Sequence, residues 1–114
     1  MIVKGIRFLH DHDFVPVRKT ETSGVLGRSL LPDGMSNVKV TLTRVSPKGK
    51  FTLHRDDYHH VIYIIKGEGE VILDNATFGL GPGALVEIPA GVTHGYQNTS
   101  DEVLEMIVMN IPAS

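Results

Sequence analysis

Three histidines and an aspartate, His54, Asp56, His60 and His94, have the types and spacing to hold one divalent metal ion together. Side chains alternate between the two faces of a strand, so His54 and Asp56 point the same way and His60 keeps their parity. Asp57 and His59 then face outward, unless a bulge between Asp56 and His60 reverses the order and brings His59 in. His94 has to arrive from another strand. The chain has no cysteine, which excludes disulfides and thiolate metal sites and leaves imidazole and carboxylate as the strong ligands. Three neutral imidazoles and one carboxylate leave a bound divalent cation with one net positive charge. Such a centre can polarise a carbonyl or enol oxygen, lower the pKa of a bound water, or chelate a substrate before oxygen attack.

The elements that must position these ligands read as short strands. Twelve glycines and six prolines punctuate β-branched and apolar runs across 114 residues, which leaves little room for helices. Strands are expected at Val38 to Val45, Lys50 to His54, His60 to Lys66, Glu70 to Leu73, Ala76 to Leu80, Ala84 to Ile88, Thr93 to Asn98 and Glu102 to Asn110. Pro47-Lys48-Gly49 is read as a turn, and Gly67-Glu68-Gly69 as a hairpin returning Glu70 to Leu73 antiparallel to the strand before it. The apolar run from Val103 to Met109 predicts a strand covered on both faces. Weaker strands are placed at Ile2 to Leu9 and Val25 to Leu31. Strands at this spacing imply an all-β sandwich or barrel, because closure removes unpaired edges.

The run Gly83, Pro89, Gly91, His94, Asn98 carries a resemblance. Its spacing is similar to the second motif of the cupin superfamily of small β-barrels: Gly, five residues, Pro, one, Gly, two, His, three, Asn. The family's first motif has two histidines one residue apart, then a glutamate seven residues ahead of a glycine. Here His54 matches the first histidine, Asp56 replaces the second, and His60 stands in the glutamate's place seven residues before Gly67. The resemblance covers about residues 45 to 110. It implies a single cupin domain over 1–114, its barrel over about 36–110, of the double-stranded β-helix or jelly-roll type with two antiparallel sheets. It also implies one divalent transition metal (Fe, Mn, Ni, Zn or Cu), and a homodimer.

Composition narrows the function classes. A formal charge of −2 gives no basic surface for nucleic acid or an anionic membrane, so the expected partner is a small molecule. The chain start lacks a signal-like apolar core and no run has the length of a membrane span, so a cytoplasmic protein is expected. The leading reading is a metal-dependent oxidoreductase of dioxygenase type acting on a small oxygen-rich substrate. A non-redox isomerase or lyase follows, and then a small-ligand or sugar-binding module without catalysis. Metal-free epimerase chemistry, with a histidine base and a tyrosine acid, fits three histidines and an aspartate on one face poorly. Tyr96 shares the parity of His94 and is the candidate catalytic hydrogen-bond donor or acid of the pocket. Tyr58 and Tyr63 read as packing or interface residues. His10-Asp11-His12-Asp13 reads as a solvated turn, Arg44 as a residue ending at solvent or pairing a substrate anion, and Gly67, Gly69, Gly83 and Gly91 as turn residues only.

Overall fold

The computed structural model describes residues 5–17 and 20–113. Nine strands follow a three-residue 3-10 turn at Asp11–Asp13: β1 (Val15–Pro16), β2 (Thr22–Ser29), β3 (Lys39–His54), β4 (Tyr58–Lys66), β5 (Gly69–Leu73), β6 (Ala76–Leu80), β7 (Leu85–Ile88), β8 (His94–Gln97) and β9 (Leu104–Pro112). All their pairings are antiparallel, as an all-β cupin-type barrel requires. The order runs β6-β5-β8-β3-β9-β4-β7, with β2 also on β3. The two expected sheets are joined through β3, whose first half pairs with β9 and whose second half pairs with β8.

That long strand corrects the reading of Pro47-Lys48-Gly49 as a turn. The chain keeps its direction there and makes a bulge: Ser23 pairs with Lys50 but Val25 with Val45, so extra β3 residues face the single Gly24. Lys48 takes a positive φ of 65°, and Gly24 and Gly49 pack so closely that a Cβ on Gly49 would lie 2.9 Å from the Gly24 carbonyl oxygen. A bulge of this size bends the strand from one sheet into the other.

The expected hairpin at Gly67-Glu68-Gly69 is also corrected. β5 pairs with β6 and β8, and β4 with β7 and β9, so this turn carries the chain across from one sheet to the other. Gly67, at φ +90°, lies against the start of β9, where a Cβ would meet the Val103 carbonyl oxygen at 2.6 Å. Gly69 needs its missing side chain for close approach rather than for a turn, since a Cβ would sit 2.5 Å from the Gln97 carbonyl oxygen.

The inner face follows the period of two. His60, Ile62 and Ile64 are buried on β4 and alternate with the exposed Tyr63 and Ile65. Ile62 and Ile64 join Val25, Val45, Val71, Leu80, Val86, Ile88, Tyr96, Leu104 and Met106 in one core cluster. On β9, no residue from Leu104 through Ile111 is exposed, as the apolar run predicts. Of the weak early strands, Val25 to Leu31 corresponds to β2. The Ile2 to Leu9 reading falls partly outside the described residues, and its described part, residues 5–9, is not a strand. Arg44 does not end free at solvent. Its Nε donates to Glu105 at 3.0 Å, its Nη1 to Asp11 at 2.9 Å, and its guanidinium lies 3.8 Å from the centroid of Phe14. It thereby pins the 3-10 turn to the barrel wall. Among the described residues no helix is long and apolar enough to cross a membrane.

Candidate metal centre

His54 ends β3 and pairs directly with His94, the first residue of β8, so their rings meet at a centroid distance of 4.2 Å. His60 comes from β4, on the same inner face. Asp56 lies past the end of β3, in the connection to β4, and the Gly91 N–H donates to its carbonyl at 2.8 Å. Gly91 adopts φ +87° in the turn before β8, so the motif glycine anchors the aspartate's loop as well as turning the chain. Asn98, 4% exposed, closes the same arrangement: its Nδ2 donates to the carbonyls of Val45 (2.9 Å) and Glu102 (2.6 Å), and its N–H to that of Gly49.

One ligand atom from each of His54, Asp56, His60 and His94 lies within 4.8 Å of the others. The three imidazoles are oriented alike. Each Nδ1 faces a carbonyl oxygen: that of Thr52 for His54 (2.8 Å), the Asn110 side-chain Oδ1 for His60 (2.8 Å), and that of Val92 for His94 (2.9 Å). A carbonyl only accepts, so each Nδ1 carries the proton and each Nε2 of a neutral ring turns its lone pair inward. The Nε2 atoms lie 3.0, 2.7 and 3.7 Å from Asp56 Oδ2 for His54, His60 and His94. Lone pairs and a carboxylate oxygen gathered at these distances repel unless a proton or a metal cation lies among them, and four donors converging on one point suit a metal better than a single proton. The donor set therefore fits a divalent metal, with each imidazole already held by an outer partner.

His59 stands outside the cluster. Its Nδ1 accepts the Ala90 N–H at 2.9 Å, while Asp56 lies with the three other histidines. Tyr96 lines the same cavity as His54, His60 and His94, a space of about 130 Å³ that Phe51, Tyr58, Thr41, Thr43 and Asn110 help to enclose. Burial raises the Tyr96 phenol well above its ordinary value, so it stays protonated across the working pH range. Asn110 is a residue that strand parity did not single out. Its partner lies fifty residues away in the chain, a pairing visible only once β9 is placed beside β4.

Burial lowers the His94 pKa below its ordinary 6.5, and the neighbouring His54 and His60 add to the effect against the Val92 carbonyl and Asp56. The folded state thus resists protonating this ring while the unfolded chain does not. Its contribution to stability is complete above pH 6.5 and is lost as pH falls through that value toward the lower folded pKa. Chelator-treated protein is expected to lose urea resistance as pH falls below about 6.5. A His94→Gln variant showing the same acid loss would refute that origin.

A cupin domain family model matches residues 41–110. A 1-methylthio-D-xylulose 5-phosphate methylsulfurylase of Rhodospirillum rubrum is 34% identical over 65 residues, covering 57% of this chain and 42% of the relative, so the match spans less than half of that protein. An uncharacterized protein of Methanocaldococcus jannaschii is 26% identical over 105 residues, 90% of this chain and 84% of its own. Among solved structures, the polyketide cyclase RemF of Streptomyces resistomycificus superposes with a TM-score of 0.81 at 25% identity, over 96% of this chain and 81% of that one. The antiparallel strand order, the inward histidines and a family match over more than half the sequence agree: the chain belongs to the cupin family.

Proposed function

We propose that this protein is a metal-dependent enzyme acting on a small oxygen-rich substrate, with one divalent transition metal held by His54, Asp56, His60 and His94. The observation that carries the reading is the common orientation of the three imidazoles, each tied to a carbonyl oxygen at Nδ1 and turned by Nε2 toward Asp56 Oδ2. The bound metal would supply Lewis acidity and, if it is iron, copper or manganese, redox chemistry with oxygen. The residues around it do the rest. Val17, Val25, Phe51, Ile62 and Val108 keep the cavity apolar and limit water, and Thr41, Thr43 and Asn110 give it polar points that orient a substrate. Tyr96, held protonated, donates a hydrogen bond or a proton to a developing oxyanion.

Oxidation or dioxygenation ranks first because a histidine-rich donor set suits a redox metal. A non-redox isomerase or lyase is the second reading, in which the protonated Tyr96 donates a hydrogen bond to a developing oxyanion. Both suit the relatives, whose names place them on a polyketide and on a sugar phosphate derivative. The homodimer belongs to the same proposal, supported by the apolar outer face of β4 and β7, where Tyr63, Ile65 and Leu85 are exposed.

Freshly purified protein is expected to contain one transition metal per chain by elemental analysis. Turnover of a small acid, phenol or sugar phosphate should stop on chelation and return with metal. Oxygen uptake during turnover separates the first reading from the second. Tight ligand binding that chelation leaves unchanged would instead establish a binding module.

A further inference from the structure

The site cavity shares a wall with a larger one of about 520 Å³, since Tyr58 and Asn110 line both. The register across three strands shows what connects them. His60 on β4 lies opposite Asn110 on β9, and Asn110 opposite Lys39 on β3. Directly opposed residues share a face, so Lys39, Asn110 and His60 form one inward row, next to the row of Thr41, Val108 and Ile62. Lys39 begins β3 and lines the outer cavity, two strand spacings or about 10 Å from His60. Its flexible stem can bring the ammonium back toward the site. Among the described residues, no ion pair engages Lys39. Asn110 spends its Oδ1 on His60, which leaves its Nδ2 hydrogens to donate between the two ends of the row.

We infer that the substrate is an organic acid that spans this row: an oxygen-bearing end at the His54, Asp56, His60 and His94 cluster, and a carboxylate or phosphate on Lys39, with the Asn110 amide donating between them. Asp57 lines the outer cavity from the loop ahead of β4, outside the row. Its negative charge penalises further anionic groups and favours a substrate with one anionic tail. Lys39 is thus the specificity residue of an anion subsite, and its own contribution is to binding rather than to chemistry.

This inference rests on the metal-centre reading, and the test separates the two. Metal content of the full chain is measured first, and calorimetry on the loaded protein then compares three probes of equal length: succinate, 3-phosphonopropionate and butyrate. At least one of the two diacids is expected to bind roughly tenfold tighter than butyrate, the equivalent of one charge-assisted hydrogen bond. The tighter of the two identifies the anionic group as carboxylate or phosphate-like. Lys39→Gln should erase the excess and leave metal content unchanged, and Lys39→Arg should keep it. Lys39 is exposed, so neither change threatens the core. Equal affinities in metal-loaded wild type, or an excess that survives Lys39→Gln, would overturn the subsite alone. A wild type that retains no metal would overturn the metal-centre reading and the subsite together.

Discussion

His94→Ala protein is expected to leave purification without metal. His94 is 3% exposed and is the proposed ligand that β8 brings across to the three residues from β3, β4 and their connection. Truncation removes a donor whose Nε2 faces the others and leaves the Val92 carbonyl without its Nδ1–H partner. Loss of an outer partner alone weakens a metal site by about 10- to 100-fold, so loss of the ligand should exceed roughly 100-fold. Metal added to wild type should raise its thermal midpoint by mass action, and this gain should vanish in the variant. His59→Ala provides the contrast, because that ring accepts the Ala90 N–H outside the cluster and its loss should leave metal content intact. Undiminished metal in folded His94→Ala, shown by elemental analysis beside circular dichroism, would sink the assignment.

How far the site could be read in advance depended on the range of the forces that build it. The spacing from Gly83 to Asn98 is local: a positive φ at Gly83 and Gly91, a proline between them, and a histidine set a fixed number of residues beyond. Local conformational rules act on one segment, so its sequence is enough. The shared parity of His54 and His60 is also local, and Asp56 joins them although it sits past the strand end, because the Gly91 N–H holds its loop. Turn residues were ambiguous for a physical reason. Pro47-Lys48-Gly49 and Gly67-Glu68-Gly69 carry the composition of hairpin turns, but whether a chain reverses, bulges or crosses between sheets depends on which strands bid for its backbone groups. Here β9 and β8 capture successive halves of β3, and β8 and β6 capture β5. The roles of Asn110 and Arg44 rest on partners 50 and 61 residues away, which no window of sequence displays. The anchoring of the early 3-10 turn was hidden for the same reason, since its attachment is the Arg44 contact with Asp11 and Phe14.

Gly95→Ala is expected to damage both fold and site through a single added methyl group, and it tests whether the backbone of β3 aims His54. Gly95 sits between His94 and Tyr96, and a Cβ there would lie 2.7 Å from the Phe51 carbonyl oxygen and 3.1 Å from both Thr52 C and Leu53 N. All three are backbone atoms, so no side-chain rotation relieves the overlap. The clash falls where the β3 and β8 register slips, between the pairs Phe51 with Tyr96 and His54 with His94. Phe51 stacks on His54 at 4.2 Å, so pushing β3 away displaces the ring that the slip presents to the cluster. A buried overlap of this kind costs about 3 kcal/mol, visible as a lowered urea midpoint. Metal retention should fall with it, because the distance between His54 and His94 Nε2 depends on the same backbone. Gly79→Ala on β6, where an added Cβ meets nothing within 4 Å, should leave both quantities near wild type. If Gly95→Ala matched Gly79→Ala in both, β3 would have to yield freely at the slip, and His54 would owe its aim to the metal rather than to the strand.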